Sequence, residues 1–79
     1  MAWIDVMWTE ENEKHVADAG FAIDEIEYVL RTPIDAGTSR SSGRPFVIGY
    51  TPDARRIMVV YEHVDRITVY PITAFLVED

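Results

Sequence analysis

Ile57-Met58-Val59-Val60-Tyr61-Glu62-His63-Val64-Asp65-Arg66-Ile67-Thr68-Val69-Tyr70-Pro71-Ile72-Thr73-Ala74-Phe75 is the stretch on which the fold turns. Residues 57–62 and 67–75 are dense in β-branched and aromatic side chains, and His63-Val64-Asp65-Arg66 between them has the composition of a reverse turn. The pattern predicts an antiparallel hairpin. With Glu62 facing Ile67, alternation places Met58, Val60, Ile67 and Val69 on one face and Val59, Tyr61, Thr68 and Tyr70 on the other. The first set is wholly aliphatic and is the one expected to lie beneath helices. A slip of one residue exchanges the two faces. Pro71 has no amide to donate, so the last strand is expected at an edge or with a bulge there.

Working outward, residues 46–50 form a third strand-like run, joined to the hairpin by Thr51-Pro52-Asp53-Ala54-Arg55-Arg56, a second turn. Ser41-Ser42-Gly43 reads as a three-residue hairpin loop with glycine at its left-handed position, pairing a weaker strand around residues 35–40 with the run from Arg44. Upstream, residues 3–8 read as a first strand. Thr9 offers a cap to a helix near 10–19 whose first turn holds Glu10 and Glu11, and Gly20 ends it. Ile23, Ile26 and Leu30 recur at i, i+3 and i+7 in a second helix near 23–31, leaving Asp24, Glu25 and Glu27 for solvent, and Thr32-Pro33 closes it. Strand, helix, helix and an antiparallel meander make one α+β domain over residues 1–79, with both helices on one face of the sheet. Ile26, Leu30, Val60 and Val69 are expected in one core.

The chain has 79 residues, no cysteine and 48% hydrophobic positions, room for one core held by packing alone. No apolar run approaches the roughly 20 residues of a membrane helix, and the opening residues lack the basic-then-apolar order of a leader. The expectation is a cytoplasmic protein without membrane contact. Charge is uneven. Asp5, Glu10, Glu11, Glu13, Asp18, Asp24, Glu25 and Glu27 stand against Lys14 in residues 1–30, a balance of −7, whereas six acids and six arginines cancel in the rest. Such a field repels nucleic acid at long range, so contact with a polyanion falls to the arginines of the second half.

Trp8 before an acidic helix start, His15 five residues before Gly20, Glu25-Ile26-Glu27-Tyr28-Val29-Leu30 ending at Pro33, and Gly49-Tyr50 leading to Val59-Val60-Tyr61 together carry a resemblance. The chain resembles the BrnT-type toxins and related small proteins of the RelE/ParE-like toxin superfamily. The resemblance implies a strand, two helices and an antiparallel sheet. It also implies a type II toxin-antitoxin setting, with ribonuclease activity in the BrnT toxins and an antitoxin that covers the toxin. BrnT-type toxins are basic and end in an Arg/Lys-rich segment, whereas Phe75-Leu76-Val77-Glu78-Asp79 holds no basic residue. That departure puts the cutting activity in doubt, because a fold does not carry its chemistry with it.

Candidate residues follow from chemistry. Arg40 and Arg44 flank the Ser41-Ser42-Gly43 loop. Guanidinium groups beside hydroxyls and loop amides form the donor set that phosphate recognition uses, so Arg40, Arg44, Ser41 and Ser42 are the candidate anion or RNA contacts. The plain alternative is a solvated loop whose arginines pair with Asp35 or the acidic helices. Tyr50, Tyr61 and Tyr70 are expected on one face. Arg44, Tyr61 and Tyr70 are the candidate catalytic set, orienting a 2′-hydroxyl and stabilising charge, with ordinary strand packing as the alternative. Glu11 and His15 share a helix face, and His63 stands near Asp65 in a turn. No metal spacing, nucleophile constellation or cofactor motif accompanies them. Two readings remain open: a toxin-like protein acting on RNA with an antitoxin partner, and a non-catalytic interaction module that binds a protein or a second copy of itself.

Overall fold

The computed structural model describes residues 4–77. Its elements are β1 (Asp5–Val6), α1 (Glu10–Asp18), α2 (Ile23–Arg31), β2 (Asp35–Thr38), β3 (Pro45–Tyr50), β4 (Arg56–His63) and β5 (Thr68–Leu76). The strands form one mixed sheet in the order β1-β5-β4-β3-β2, with β1 parallel to β5 and all other pairs antiparallel. The expected α+β order holds. The first strand is shorter than its sequence suggested, and Trp3 lies outside the described residues.

Local chemistry fixes both helices. The Thr9 hydroxyl accepts from Asn12 N, and the Asn12 side chain accepts from Thr9 N at 2.7 Å, a reciprocal cap. At the other end Phe21 N donates to Val16 O and Gly20 N to Ala17 O, both at 2.9 Å, with Gly20 at φ 92°. This is a Schellman closure, in which glycine takes a left-handed conformation without a Cβ penalty. It swings the buried Phe21 into the core. α2 has Ala22 before it and so no capping hydroxyl; Glu25 reaches back to accept from Ala22 N at 2.9 Å. Glu25 also accepts from Arg55, and Arg55 in turn grips Asp53 and lies 5.3 Å over the Phe21 ring. Glu27 accepts from Trp8 Nε1 at 2.8 Å and from Arg31 at 2.9 Å, while Arg31 also donates to Ile4 O. Glu25 and Glu27, expected in solvent, are therefore half-buried and tied to Arg55 of the β3–β4 turn and to Trp8 and Arg31; of the three acids, Asp24 alone is exposed.

Both helices cover one face of the sheet. Val16 from α1 and Ile26, Val29 and Leu30 from α2 meet Val47, Ile57, Val59, Val69 and Ala74. The expected hairpin register is corrected here. Glu62 faces Tyr70, and His63 faces Val69, three positions beyond the expected Ile67. An odd displacement exchanges the faces, so Val59 and Tyr61 join Val69 under the helices, and Met58 and Val60 point away. Val60 is buried, but outside the main core, and Ile67 is exposed. The cause lies in the turn. Asp65 accepts from Ile67 N at 3.0 Å and Thr68 N at 2.8 Å, which draws Ile67 into the connection and starts β5 at Thr68. Both candidate faces are apolar, so alternation had no means of choosing between them.

Further along, Val60 faces Thr73 while Tyr61 faces Pro71, leaving Ile72 as an extra residue in a bulge beside the proline, as its missing amide led one to expect. At the opposite edge, β2 leaves the Ala36 amide turned outward, and the neighbouring Asp35 carboxylate accepts from it at 2.8 Å.

Candidate functional site

The face of the sheet turned away from the helices is built from two rows that cross three strands. Phe46, Val60 and Thr73 form one, and Ile48, Met58 and Phe75 form the next. Ile48 and Val60 are buried although they stand outside the helix-side core. Their cover comes from this face itself, from Phe46, Met58 and Phe75. Gly37 on β2 makes room for that arrangement: a Cβ there would lie 2.7 Å from Phe46 Cζ, so the tip of the aromatic ring occupies the space that a side chain would fill. Phe75 and Tyr50 are each 46% exposed at the edges of the rows. This is a second, smaller apolar layer without helices over it.

At one end of this face stand the residues expected to contact RNA. Ser39 N donates to Arg44 O and Gly43 N to Ser39 O, both at 2.8 Å. The loop therefore spans four residues, Arg40 to Gly43, and Arg44 faces Ser39 instead of Arg40. Gly43, at φ 72°, does take the left-handed position. The convergence of two guanidinium groups across the hairpin is thereby corrected: Arg40 belongs to the turn, and Arg44 donates from Nε to Glu62 at 2.8 Å. Ser41 and Ser42 are occupied locally, Ser41 with the Ser39 hydroxyl and Ser42 accepting from Arg44 N. Arg40 and Arg66, on the adjacent β2–β3 and β4–β5 turns, make no ion pair among the described residues.

The tyrosines separate. Tyr61 is on the helix side, half-buried against the core and edge-on to His63 at 5.4 Å. Tyr70 stands opposite Glu62 on the other face, and its hydroxyl lies 3.1 Å from that of Thr9. Tyr50 is on the face of Met58, opposite Arg56. The expectation of one tyrosine face fails for the same reason as the register, since Tyr61 travels with Val59. Of the candidate catalytic set, Arg44 and Tyr70 flank Glu62 on one side of the sheet, and Tyr61 is on the other. Glu11 and His15 do share a surface, lining with Asn12, Tyr70 and Ile72 a shallow pocket of about 60 Å³. No group of three or more potential metal-ligating side chains forms among the described residues.

Charge divides the molecule by layer. Glu10, Glu11, Glu13, Asp18 and Asp24 are exposed on the helices. The two apolar rows contain no ionised side chain; the Arg44–Glu62 pair stands at one margin and Arg56, opposite Tyr50, at the other. Two turn carboxylates are set below the ordinary range. Asp53 is lowered by the Thr51 hydroxyl and then by Arg55, and Asp65 by the Ile67 amide and then by Thr68. Both are structural anchors of hairpins and stand at opposite ends of β4. The residue that sequence reading missed is Asn12, buried and bonded to Met7 O and Pro71 O. Its one visible signal was its place three after Thr9. Comparison of the chain with protein-family models, with curated proteins and with solved structures gives no match.

Proposed function

We propose that this chain is a non-catalytic protein-interaction module on a toxin-like α+β frame, and that it binds through the helix-free apolar face of its sheet. One observation carries this reading: Phe46, Ile48, Met58, Val60 and Phe75 form a contiguous apolar layer that the chain's own helices leave uncovered. Exposed sheet faces in small domains are ordinarily polar, because burial of the other face suffices for the fold. The supposed catalytic groups give less support to chemistry. Arg44 is neutralised by Glu62, and Tyr61 is across the sheet from Tyr70.

A second reading, an RNA-directed toxin held by an antitoxin, draws on Arg40 and Arg66, two arginines that make no ion pair among the described residues and stand on the two turns at the end of the sheet that holds Arg44. One experiment separates them. The chain is expressed alone and together with the protein of the adjacent gene, and growth, RNA integrity and complex formation are scored. The module reading expects no growth arrest, intact RNA, and any complex lost in Phe75→Glu but retained in Arg40→Ala/Arg44→Ala. RNA degradation abolished by Arg44→Ala and Tyr70→Phe would overturn it in favour of the toxin.

A further inference from the structure

We infer that the pocket between α1 and β5 is a receptor for a guanidinium group, the head of an arginine side chain on a basic partner. The inference concerns a different surface from the apolar sheet face and does not rest on the module reading.

The pocket is lined by Glu11, Asn12 and His15 from α1 and by Tyr70 and Ile72 from β5. Part of its wall is fixed from within. Asn12, 2% exposed, donates to Met7 O and Pro71 O, and the Tyr70 hydroxyl lies 3.1 Å from that of Thr9. The two exposed lining residues are uncommitted: Glu11 and His15 make no side-chain hydrogen bond or ion pair among the described residues. A ligand's donors therefore find a free carboxylate and a free imidazole beside a wall that is already ordered, and no existing contact has to break to receive them.

Charge selects a cation. Glu10, Glu11 and Glu13 stand in the first turn of α1, the neighbouring Lys14 is held by Asp18 at 3.2 Å, and residues 1–30 balance at −7. An anion is repelled here and a cation drawn in. A carboxylate in the first turn also complements the helix dipole, but Glu10 and Glu13 serve that purpose equally; what sets Glu11 apart is the pocket. Shape narrows the cation. A volume of about 60 Å³ gives room for roughly four water-sized groups, which matches the carbon and nitrogens of a guanidinium. The lining supplies what that group uses: a carboxylate for its planar fork, an imidazole nitrogen that accepts in the neutral form, and a tyrosine ring. Ile72 adds apolar surface for the methylene stem behind the charged head.

Proton NMR titration of the full chain with N-methylguanidinium chloride at about pH 8, above the ordinary imidazole range, tests this. The expected result is a saturable shift of the His15 and Tyr70 ring resonances, with those of His63 and Tyr28 unmoved, and a dissociation constant on the order of 10 mM. N-acetylarginine N-methylamide, which carries the same head on a peptide backbone, should bind at least as tightly. N-methylurea, a neutral near-isostere, should not bind, and n-butylammonium should bind at least about fivefold more weakly for want of the planar fork. Glu11→Gln should weaken N-methylguanidinium at least about fivefold, and Glu13→Gln, an equal change of charge outside the pocket, less than about twofold. The backbone amide spectrum verifies that each variant is folded. Shifts that do not saturate, an equal loss in the two variants, or an equal response to n-butylammonium overturns the inference, since the acidic surface then attracts any cation. An arginine amide that fails to bind where N-methylguanidinium binds overturns the assignment to a partner's side chain.

Discussion

The side-chain amide of Asn12 donates to the carbonyl oxygen of Pro71 at 3.1 Å, joining the first turn of α1 to the bulged part of β5. β1 pairs with Thr68 and Val69 and then leaves the sheet, so the Pro71 carbonyl beyond it has no neighbouring strand to satisfy it. Asn12 supplies that donor from a helix. The same nitrogen reaches Met7 O at 3.0 Å, and the side-chain oxygen accepts from Thr9 N. Replacement by alanine strands the buried Pro71 carbonyl and removes half of the helix cap. Asn12→Ala should lower stability by about 2–4 kcal/mol in urea denaturation. Asn12→Asp should do no better, because a carboxylate would face two carbonyl oxygens. A loss under about 0.5 kcal/mol would show that water satisfies both carbonyls.

Glu27 and Asp24 are neighbouring acids of α2 with opposite consequences. Glu27 binds Trp8 and Arg31 together, whereas Asp24 is exposed. Glu27→Ala is expected to cost about 1.5–3 kcal/mol, since it removes the acceptor of a charged hydrogen-bond pair, while Asp24→Ala should stay within about 0.5 kcal/mol. Chemical denaturation of the two single variants settles the comparison. Equal effects would make the Trp8–Glu27–Arg31 chain a surface decoration.

Ala54 adopts φ 68° in the β3–β4 turn, a left-handed conformation that costs an L-residue about 1–2 kcal/mol. Glycine removes that cost and returns part of it as unfolded-state entropy. Ala54→Gly should therefore raise stability by about 0.5–1 kcal/mol, seen as a higher denaturation midpoint at unchanged slope. A lowered midpoint would contradict the strain argument.

Asp53 and Asp65 link stability to acid pH. Each carboxyl is held lower in the folded chain than in the unfolded one, Asp53 chiefly by the Thr51 hydroxyl and Asp65 chiefly by the Ile67 amide. The unfolded form thus binds protons first as pH falls, and the stabilisation is complete above the unfolded value and lost on descending through the folded one, below about pH 4. Thermal melts from about pH 5 to about pH 2 should fall more steeply for the wild type than for Asp53→Asn/Asp65→Asn, whose amides accept the same hydrogen bonds without titrating. Parallel curves would assign the acid sensitivity to other carboxylates.

The order of elements and both helices were legible because their signals are local: Thr9, Gly20 and Thr32-Pro33 act on the chain within a few residues of themselves. The faces of the β4–β5 hairpin were not. Met58 and Val60 are as apolar as Val59 and Tyr61, so the choice fell to the Asp65 turn, whose hydrogen bonds set the register. The tyrosine site failed with it, since Tyr61 and Tyr70 were joined only by the assumed alternation. Asn12 was illegible for a different reason. Its partners Met7 and Pro71 are backbone carbonyls, which leave no mark on side-chain composition.

The Asp35 carboxylate on the Ala36 amide has a consequence for how far the protein can grow. An amide already claimed from its own strand offers a weak template to an incoming one, and β2 is short besides. At the other margin Asn12 occupies the Pro71 carbonyl, where a foreign strand would begin to pair. Each lateral edge of the sheet is thereby blunted at one backbone group from within the molecule. Concentrated solutions should therefore be slow to form fibres, where an open-edged sheet of equal apolarity would nucleate them.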